Sequence, residues 1–284
     1  MKLSIININL NNATGLQKTI SSVLAQTSTD FECLIIDGDS SDGSKEVINK
    51  MVNEDSRVTA ISEKDNGIYH AMNKGIRLAQ GEYIHFLNSG DWLVDSTVVS
   101  TMFEELKRLN HPDILIGNKI MIRPDGKMRK CKNSHQPVTV FTFYRGTIEH
   151  TSAYIRRSLF DEYGLYDESL KIVSDWKWYF QAAGLGNAKV GFSDCYVSYF
   201  DTTGISSTHK ELEMKERRQV LEYLLPAEVL ADYDCYSFDI VQMERLKRYP
   251  LIYKVVWFIE RSLFKFDKWE GTYWGWKNGI VSKT

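Results

Sequence analysis

Apolar and polar positions in the first 95 residues follow two alternating rhythms. Residues 3–10, Leu-Ser-Ile-Ile-Asn-Ile-Asn-Leu, form a short run that stops at Asn11 and Asn12, which predicts a buried strand. Thr14 then opens a predicted helix with Leu16, Ile20, Val23 and Leu24 on one stripe. Phe31–Asp37 is a continuous apolar run of the kind covered on both faces in a parallel sheet. The turn-rich segment Gly38-Asp39-Ser40-Ser41-Asp42-Gly43 leads to a second helix through Val47, Ile48 and Met51. Arg57–Ser62 reads as a third strand, followed by the loop Glu63–Gly67 and a helix bearing Ile68, Met72, Ile76 and Ala79. Tyr83–Leu87 is a fourth strand and ends at Asn88-Ser89-Gly90-Asp91.

Strands and helices in strict alternation predict an α/β fold, a Rossmann-like sheet with helices on both faces. Ligands of such sheets bind beyond the carboxyl ends of the strands. The loops 9–12, 37–43, 63–67 and 88–91 all fall there, so four polar loops converge on one edge. Beyond residue 95 the rhythm changes. A helix near 95–109 precedes a strand Ile114–Ile122 and the hairpin turn Pro124-Asp125-Gly126. Segments 139–146, 151–155 and 188–199 read as further strands. Ser174 caps a predicted helix that carries Trp176, Tyr179, Phe180 and Ala183, and from 211 onward the pattern is helical.

Composition narrows the class. Of 284 residues, 43% are hydrophobic and 25% charged, which excludes a disordered tail, a fibre or a disulfide mini-scaffold. A net charge of −2 gives no global basic field, so no nucleic-acid partner is expected. Cys33, Cys131, Cys195 and Cys235 form no CxxC pair and read as buried thiols of a reducing compartment. The amino-terminal run is too short for a signal peptide, and no window reaches 18 uninterrupted apolar residues. The expected location is cytoplasmic.

Charge is unevenly spread. Residues 245–284 hold nine Lys and Arg against three acids, a net +6 that leaves −8 for residues 1–244. Tyr249–Trp276 contains ten aromatic residues, and Ile252, Val256, Ile259, Leu263 and Phe266 share one helical stripe. Two readings stand: a helix packed on the core, or a surface anchor with its aromatic residues in the interface and its Lys and Arg toward anionic lipid.

Several polar residues at the loop edge can carry chemistry, each with a plainer reading beside it. Asp91 can hold a hard cation that neutralises a diphosphate, or it starts a turn. Asp37 and Asp39, beside Gly38, can accept from a base or ribose, or serve ordinary turn chemistry, with Asp42 the better cap. Asp65 with Lys74 offers an anion and a cation, although a lone Lys on a helix is usually solvated. Asp175 is either an acid favoured by a helix N-terminus or a general base among indoles. His150 and His209 lie near strand or loop ends, and no HxH or HExxH spacing marks a zinc site.

Taken together and in order, these residues resemble the family-2 inverting glycosyltransferases of the GT-A fold. The matching pieces are Ser4-Ile5-Ile6 through Asn11, Ser22–Thr27, Phe31-Glu32 through Asp37–Gly43, and Glu63–Ile76. Gly81–Ile84 leads into Leu87–Asp91, where the family has its DxD-type metal motif, and Gly164–Glu168 with Ser174-Asp175-Trp176 matches its later acidic motif. The match runs over about residues 1–205 and is similar to bacterial enzymes of exopolysaccharide and surface-glycan synthesis. The resemblance implies a nucleotide-binding half at 1–95, an acceptor-binding half at 96–205 and a basic, aromatic helical extension at 206–284.

Carried over residue by residue, the resemblance implies Asp37, Gly38, Asp39 and Asp65 around the nucleotide, with Asn9, Lys74 and Asn88 beside them. It implies Asp91 as ligand of Mg²⁺ or Mn²⁺, Asp175 as catalytic base, and His150 and Trp176 on the acceptor side. The expected reaction moves a sugar from a nucleoside-diphosphate sugar, UDP first among them, to a glycan or lipid-linked hydroxyl with inversion. A membrane-borne acceptor would place the chain peripherally on the inner membrane face, in contact through 245–284. Two departures matter. Asn88 and Gly90 stand where acids are often found, so metal affinity would rest mostly on the diphosphate. Leu10 stands where many members place an aromatic that stacks on the base. The rival reading is a non-catalytic nucleotide- or glycan-binding relative with a decayed metal motif. A dinucleotide oxidoreductase is disfavoured because no GxGxxG follows the first strand.

Overall fold

The computed structural model describes residues 2–133, 135–148, 150–202 and 209–269. Residues 270–284, with two of the tail tryptophans, lie outside the described residues. The first four strands are β1 (Leu3–Asn9), β2 (Phe31–Asp37), β3 (Val58–Ser62) and β4 (Tyr83–Phe86), each within a residue of the apolar run that predicts it, except that β1 stops before Leu10. Between them stand α1 (Ala13–Leu24), α2 (Ser44–Glu54) and α3 (Ile68–Leu78). Then follow β5 (Trp92–Leu93), α4 (Val98–Arg108), β6 (Ile114–Ile122) and β7 (Met128–Cys131). The chain continues with α5 (Val140–Arg145), a 3-10 turn (His150–Ser152), β8 (Ala153–Arg156) and α6 (Leu159–Tyr163). After these come α7 (Ser174–Tyr179), which widens into a π-helical turn (Phe180–Leu185), and β9 (Val190–Asp201).

Among the described residues the strands form one sheet in the order β3-β2-β1-β4-β8-β6-β9-β5, with β7 also on β6. The block β3-β2-β1-β4 is parallel, and β8 joins β4 antiparallel. Because β2 lies on one side of β1 and β4 on the other, the chain reverses its winding at β1 and opens a crevice at the carboxyl ends. Leu3 and Ile5 belong to a core shared with Leu16 and Ile20 of α1, Ile48 of α2 and Met102 of α4. The opposite face carries Ile6, which packs so close to α3 that a Cβ on Gly75 would lie 2.5 Å from Ile6 Cγ2. Strand periodicity thus puts successive residues of β1 into two layers.

Three local expectations are corrected. Segment 139–146 is a helix, not a strand: Thr139 and Thr142 form a reciprocal capping box, and Phe143 is buried against Phe180, ring centroids 5.3 Å apart. The cap of α1 is Asn12, whose side chain accepts the Gly15 N–H, rather than Thr14, which lies inside the first turn. Ser174 is the first residue of α7, and the capping position falls to Val173, which has no capping side chain. The cysteines are all free, yet only Cys33 is buried; Cys131 and Cys195 are half-buried and Cys235 is exposed.

The remaining helices are α8 (Lys210–Leu224), α9 (Ala227–Lys247) and α10 (Pro250–Trp269). The chain divides into two compact units, Met1–Leu224 and Leu225–Thr284, so α8 groups with the sheet. No helix among the described residues is long and apolar enough to cross a membrane.

Candidate active site

Parallel register builds the first part of the site. Asn9 pairs with Asp37, and Asp37 with Ser62, so three polar residues end β1, β2 and β3 in one row. The buried Asp37 carboxylate accepts from Asn9 Nδ2 at 2.7 Å, Ser40 Oγ at 2.6 Å, Ser40 N at 3.0 Å and Ser62 Oγ at 2.6 Å. Burial opposes its charge, but these hydrogen bonds together hold it below its ordinary value. Asp37 is therefore the knot that ties three strand ends, with its oxygens already engaged. Asn9 Oδ1 is buried and without a partner, an acceptor left over at the edge of the row.

Asp65 closes the other side of this pocket. Its Oδ1 takes Lys74 Nζ at 2.7 Å and lies 3.1 Å from His70 Nδ1, while a Cβ on Gly38 would sit 3.4 Å from its Oδ2. Burial works against the Lys74 charge, but Asp65 and Glu63 outweigh it and raise the ammonium above its usual value. Lys74 is thus a paired cation at the site, not a solvated one. Asp39 stands apart: exposed, with φ +63°, and paired with Lys45.

The loop after β4 is clamped from below. Asn7 Nδ2 donates to the Leu87 carbonyl, Asn12 Nδ2 to the Ser89 carbonyl, and Thr19 Oγ1 lies 2.6 Å from the Asp91 carbonyl while accepting the Gly90 N–H. Gly90 has φ +108°, a conformation a side chain would strain. The clamp buries Asp91, whose carboxylate accepts the Asp201 N–H at 2.9 Å. Burial pushes Asp91 up to about 7, partly countered by that hydrogen bond and by His150 and Lys119 nearby. Asn88 Oδ1 is buried and unpartnered in the same loop.

A divalent ion fits this donor set in one way. Asp91 is a hard oxygen donor whose burial lacks a full counter-charge, as a cation site requires. Among the described residues no three His, Cys, Asp or Glu converge to cage an ion. The remaining ligands would come from a substrate diphosphate and water, the usual arrangement for Mg²⁺.

Asp175 is the second residue of α7. His150 Nδ1 lies 3.0 Å from its Oδ2, and Tyr69 Oη lies 2.9 Å from Oδ1 and 2.5 Å from the Ile172 carbonyl, sharing one proton between two acceptors. Burial disfavours the charged carboxylate, but His150 and Tyr69 overcome it, so Asp175 stays below its usual value. The Tyr69 phenol is pushed well above its own, first by burial and then by the adjacent carboxylate. Trp176 turns the other way. Its ring is buried and its indole donates to the Gly146 carbonyl at 2.8 Å.

The structure thus joins Asn9 with Asp37, Asp65 with Lys74, Asn88 with Asp91, and His150 with Asp175, while Asp39 pairs with Lys45 instead and Trp176 meets Asp175 through its backbone N–H, its indole turned to Gly146. Tyr69, His70 and Glu63 are participants that pattern reading passed over, although all three lie in the motif Glu63–Ile76. Tyr69 reaches Asp175 from a buried position of α3, while His70 and Glu63 reach Asp65 and Lys74.

Comparison with known proteins decides the family. The model of glycosyl transferase family 2 matches residues 4–164, more than half of the chain. This chain belongs to glycosyl transferase family 2. An uncharacterized glycosyltransferase of Mycobacterium tuberculosis is 32% identical over 210 residues, covering 74% of this chain and 78% of that protein. A PGL/p-HBAD biosynthesis glycosyltransferase of Mycobacterium bovis is 26% identical over 216 residues, 75% of this chain and 82% of its own. Among solved structures, S. aureus TarS 1–349 in complex with UDP-GlcNAc is similar with a TM-score of 0.63 at 20% identity, over 84% of this chain and 73% of that one. Mannosyltransferase PcManGT from Pyrobaculum calidifontis, in complex with GDP-Man and Mn²⁺, gives 0.54 at 16% identity, over 76% and 60%. The family-2 chain has the GT-A fold of these neighbours.

Proposed function

We propose that this glycosyltransferase moves a sugar from a nucleoside-diphosphate sugar, with UDP the first candidate, to a hydroxyl of a surface glycan or lipid-linked acceptor, inverting the anomeric centre. One observation carries the reading: a buried carboxylate, Asp175, kept ionised by His150 and Tyr69 at the strand-end edge that also holds Asp91. Asp175 takes the proton of the acceptor hydroxyl as its oxygen bonds to the anomeric carbon. The bond from that carbon to the diphosphate breaks, and the nucleoside diphosphate leaves with the electron pair. Asp91 would hold Mg²⁺ or Mn²⁺, which when bound neutralises charge on the diphosphate. The row Asn9, Asp37, Gly38, with Asp65, Lys74 and Asn88, would form the nucleotide side, and Asp39 its outer rim. His150 would face the acceptor, and Trp176 would act through packing. UDP and GDP-Man in the neighbouring structures set the two nucleotides to try first.

A membrane-borne acceptor is the natural partner of α10. That helix exposes Leu251, Ile252, Phe258, Ile259 and Leu263, with Lys254 and Arg261 on one flank of that arc. Such a face suits an anionic bilayer surface.

The deciding experiment measures nucleoside diphosphate released from UDP-Glc, UDP-Gal, UDP-GlcNAc and GDP-Man, with and without Mn²⁺. Wild type should turn over at least one donor, and Asp175→Asn should lose about 10²- to 10⁴-fold in rate, the usual worth of a general base. Full activity in Asp175→Asn would reject that residue as base. Neither turnover nor calorimetric binding of UDP or GDP would favour the non-catalytic relative instead.

A further inference from the structure

Helix α8 lies outside the segment that matches the family model, and it carries a buried carboxylate. Glu216 is 6% exposed on a helix otherwise rich in solvated charge. A buried carboxylate needs full hydrogen bonding, and Glu216 finds it on three successive backbone N–H groups: Lys171 at 2.8 Å, Ile172 at 2.9 Å and Val173 at 3.3 Å. These groups lead into α7, whose capping position is the non-capping Val173. The turn that enters α7 is therefore anchored by a carboxylate 43 residues downstream.

The same segment meets a partner of Asp175. The Ile172 carbonyl is the second acceptor of the Tyr69 hydroxyl, and the first is Asp175. The neighbouring Arg217 donates to the Gly146 carbonyl at 2.8 Å, the oxygen that also takes the Trp176 indole, and its guanidinium lies 4.9 Å from the Trp176 ring centre. We propose that Glu216 is a positioning residue for Asp175, fixing segment 171–173 so that Tyr69 and the base keep their mutual geometry, with Arg217 bracing the same helix through Trp176. This rests on Asp175 being the base.

The groups that face Asp175 are Tyr69 from α3, His150 from the 3-10 turn, Arg217 from α8 and Tyr166 from the loop before α7. Loosening 171–173 weakens the Tyr69 contact and leaves the others. The test compares full-length wild type, Glu216→Gln, Glu216→Asp and Asp175→Asn. It reads UDP release from whichever UDP-sugar wild type hydrolyses fastest, across pH, with UDP affinity by calorimetry. Glu216→Gln should keep UDP affinity within twofold, lose at least tenfold in kcat, and move the acid limb of kcat to higher pH. Glu216→Asp, which keeps the charge, should recover part of both. Unchanged kcat and acid limb in Glu216→Gln, with Asp175→Asn inactive, would overturn the positioning role alone. An active Asp175→Asn would overturn the reading beneath it. Should Glu216→Gln not fold, Glu216→Asp decides: an acid limb identical to wild type rejects the proposal.

Discussion

A carboxylate that is to accept a proton from a hydroxyl must be ionised and aimed, and at Asp175, the proposed base, two neighbours bear on both. His150 and Tyr69 each hold one oxygen and offset the burial that would otherwise protonate the group. The sign follows directly. A base is active above its own pKa, so with Asp175 as the proposed base turnover should be present at neutral pH and be lost as pH falls through the lowered Asp175 value. In Tyr69→Phe one hydrogen bond to the charged form disappears and that value rises. The acid limb of kcat/KM for nucleoside diphosphate release should move up by about one unit, the worth of one such bond. A pH profile of Tyr69→Phe that overlays wild type would make Tyr69 a packing residue only. Asp175 itself was legible in sequence because an acid stood at the head of an aromatic helix. Tyr69 and Glu216 were not, since a tyrosine at an apolar helix position looks like core and a glutamate on a charged helix looks solvated. Their roles depend on contacts 106 and 43 or more residues away in sequence.

At the scale of elements, short polar residues of α1 and β1 decide where the loop after β4 stands. Thr19 is the central one: fully buried, within 2.6 Å of the Asp91 carbonyl, and acceptor of the Gly90 N–H. Thr19→Val keeps the shape and removes the hydroxyl, leaving a buried carbonyl and a partly buried N–H unmatched. Loss of about 1–3 kcal/mol of unfolding free energy should follow, read from urea melts. The Mn²⁺ concentration for half-maximal turnover should rise, since Asp91 would no longer be held in place. Equal melts and equal Mn²⁺ dependence would show that the clamp is redundant. The strands and helices of the first half were readable because parallel βα units write themselves as two clean periods. Segment 139–146 was not, because its β-branched and aromatic residues suit a strand while two threonines and the Phe143–Phe180 stack impose a helix. The two-residue β5 is too short for any period to show.

Over the whole molecule, charge is sorted along the chain: −8 in residues 1–244 and +6 after them. Helix α10 adds an apolar arc to that sorting, with Leu251 80% and Phe258 69% exposed. Its Arg261 guanidinium lies over Trp257, 4.6 Å from the ring centre, so cation and indole occupy one flank together. Apolar burial alone would bind neutral and anionic bilayers alike, whereas the basic flank adds about 1 kcal/mol per Lys or Arg on an anionic one. The full chain should therefore float with vesicles of phosphatidylcholine containing phosphatidylglycerol and much less with phosphatidylcholine alone. About 0.5 M salt, which shortens the screening length well below 10 Å, should release most of it. Reversing Lys254 and Arg261 to Glu turns two attractions into repulsions and should weaken anionic binding by at least about 30-fold. Leu251→Asp with Phe258→Asp should abolish binding to both vesicles. If the charge reversals leave binding to the two vesicle types unchanged, the basic flank has no part in it; if the full chain floats with neither vesicle, the helix is a packing element and the acceptor must reach the site by another route.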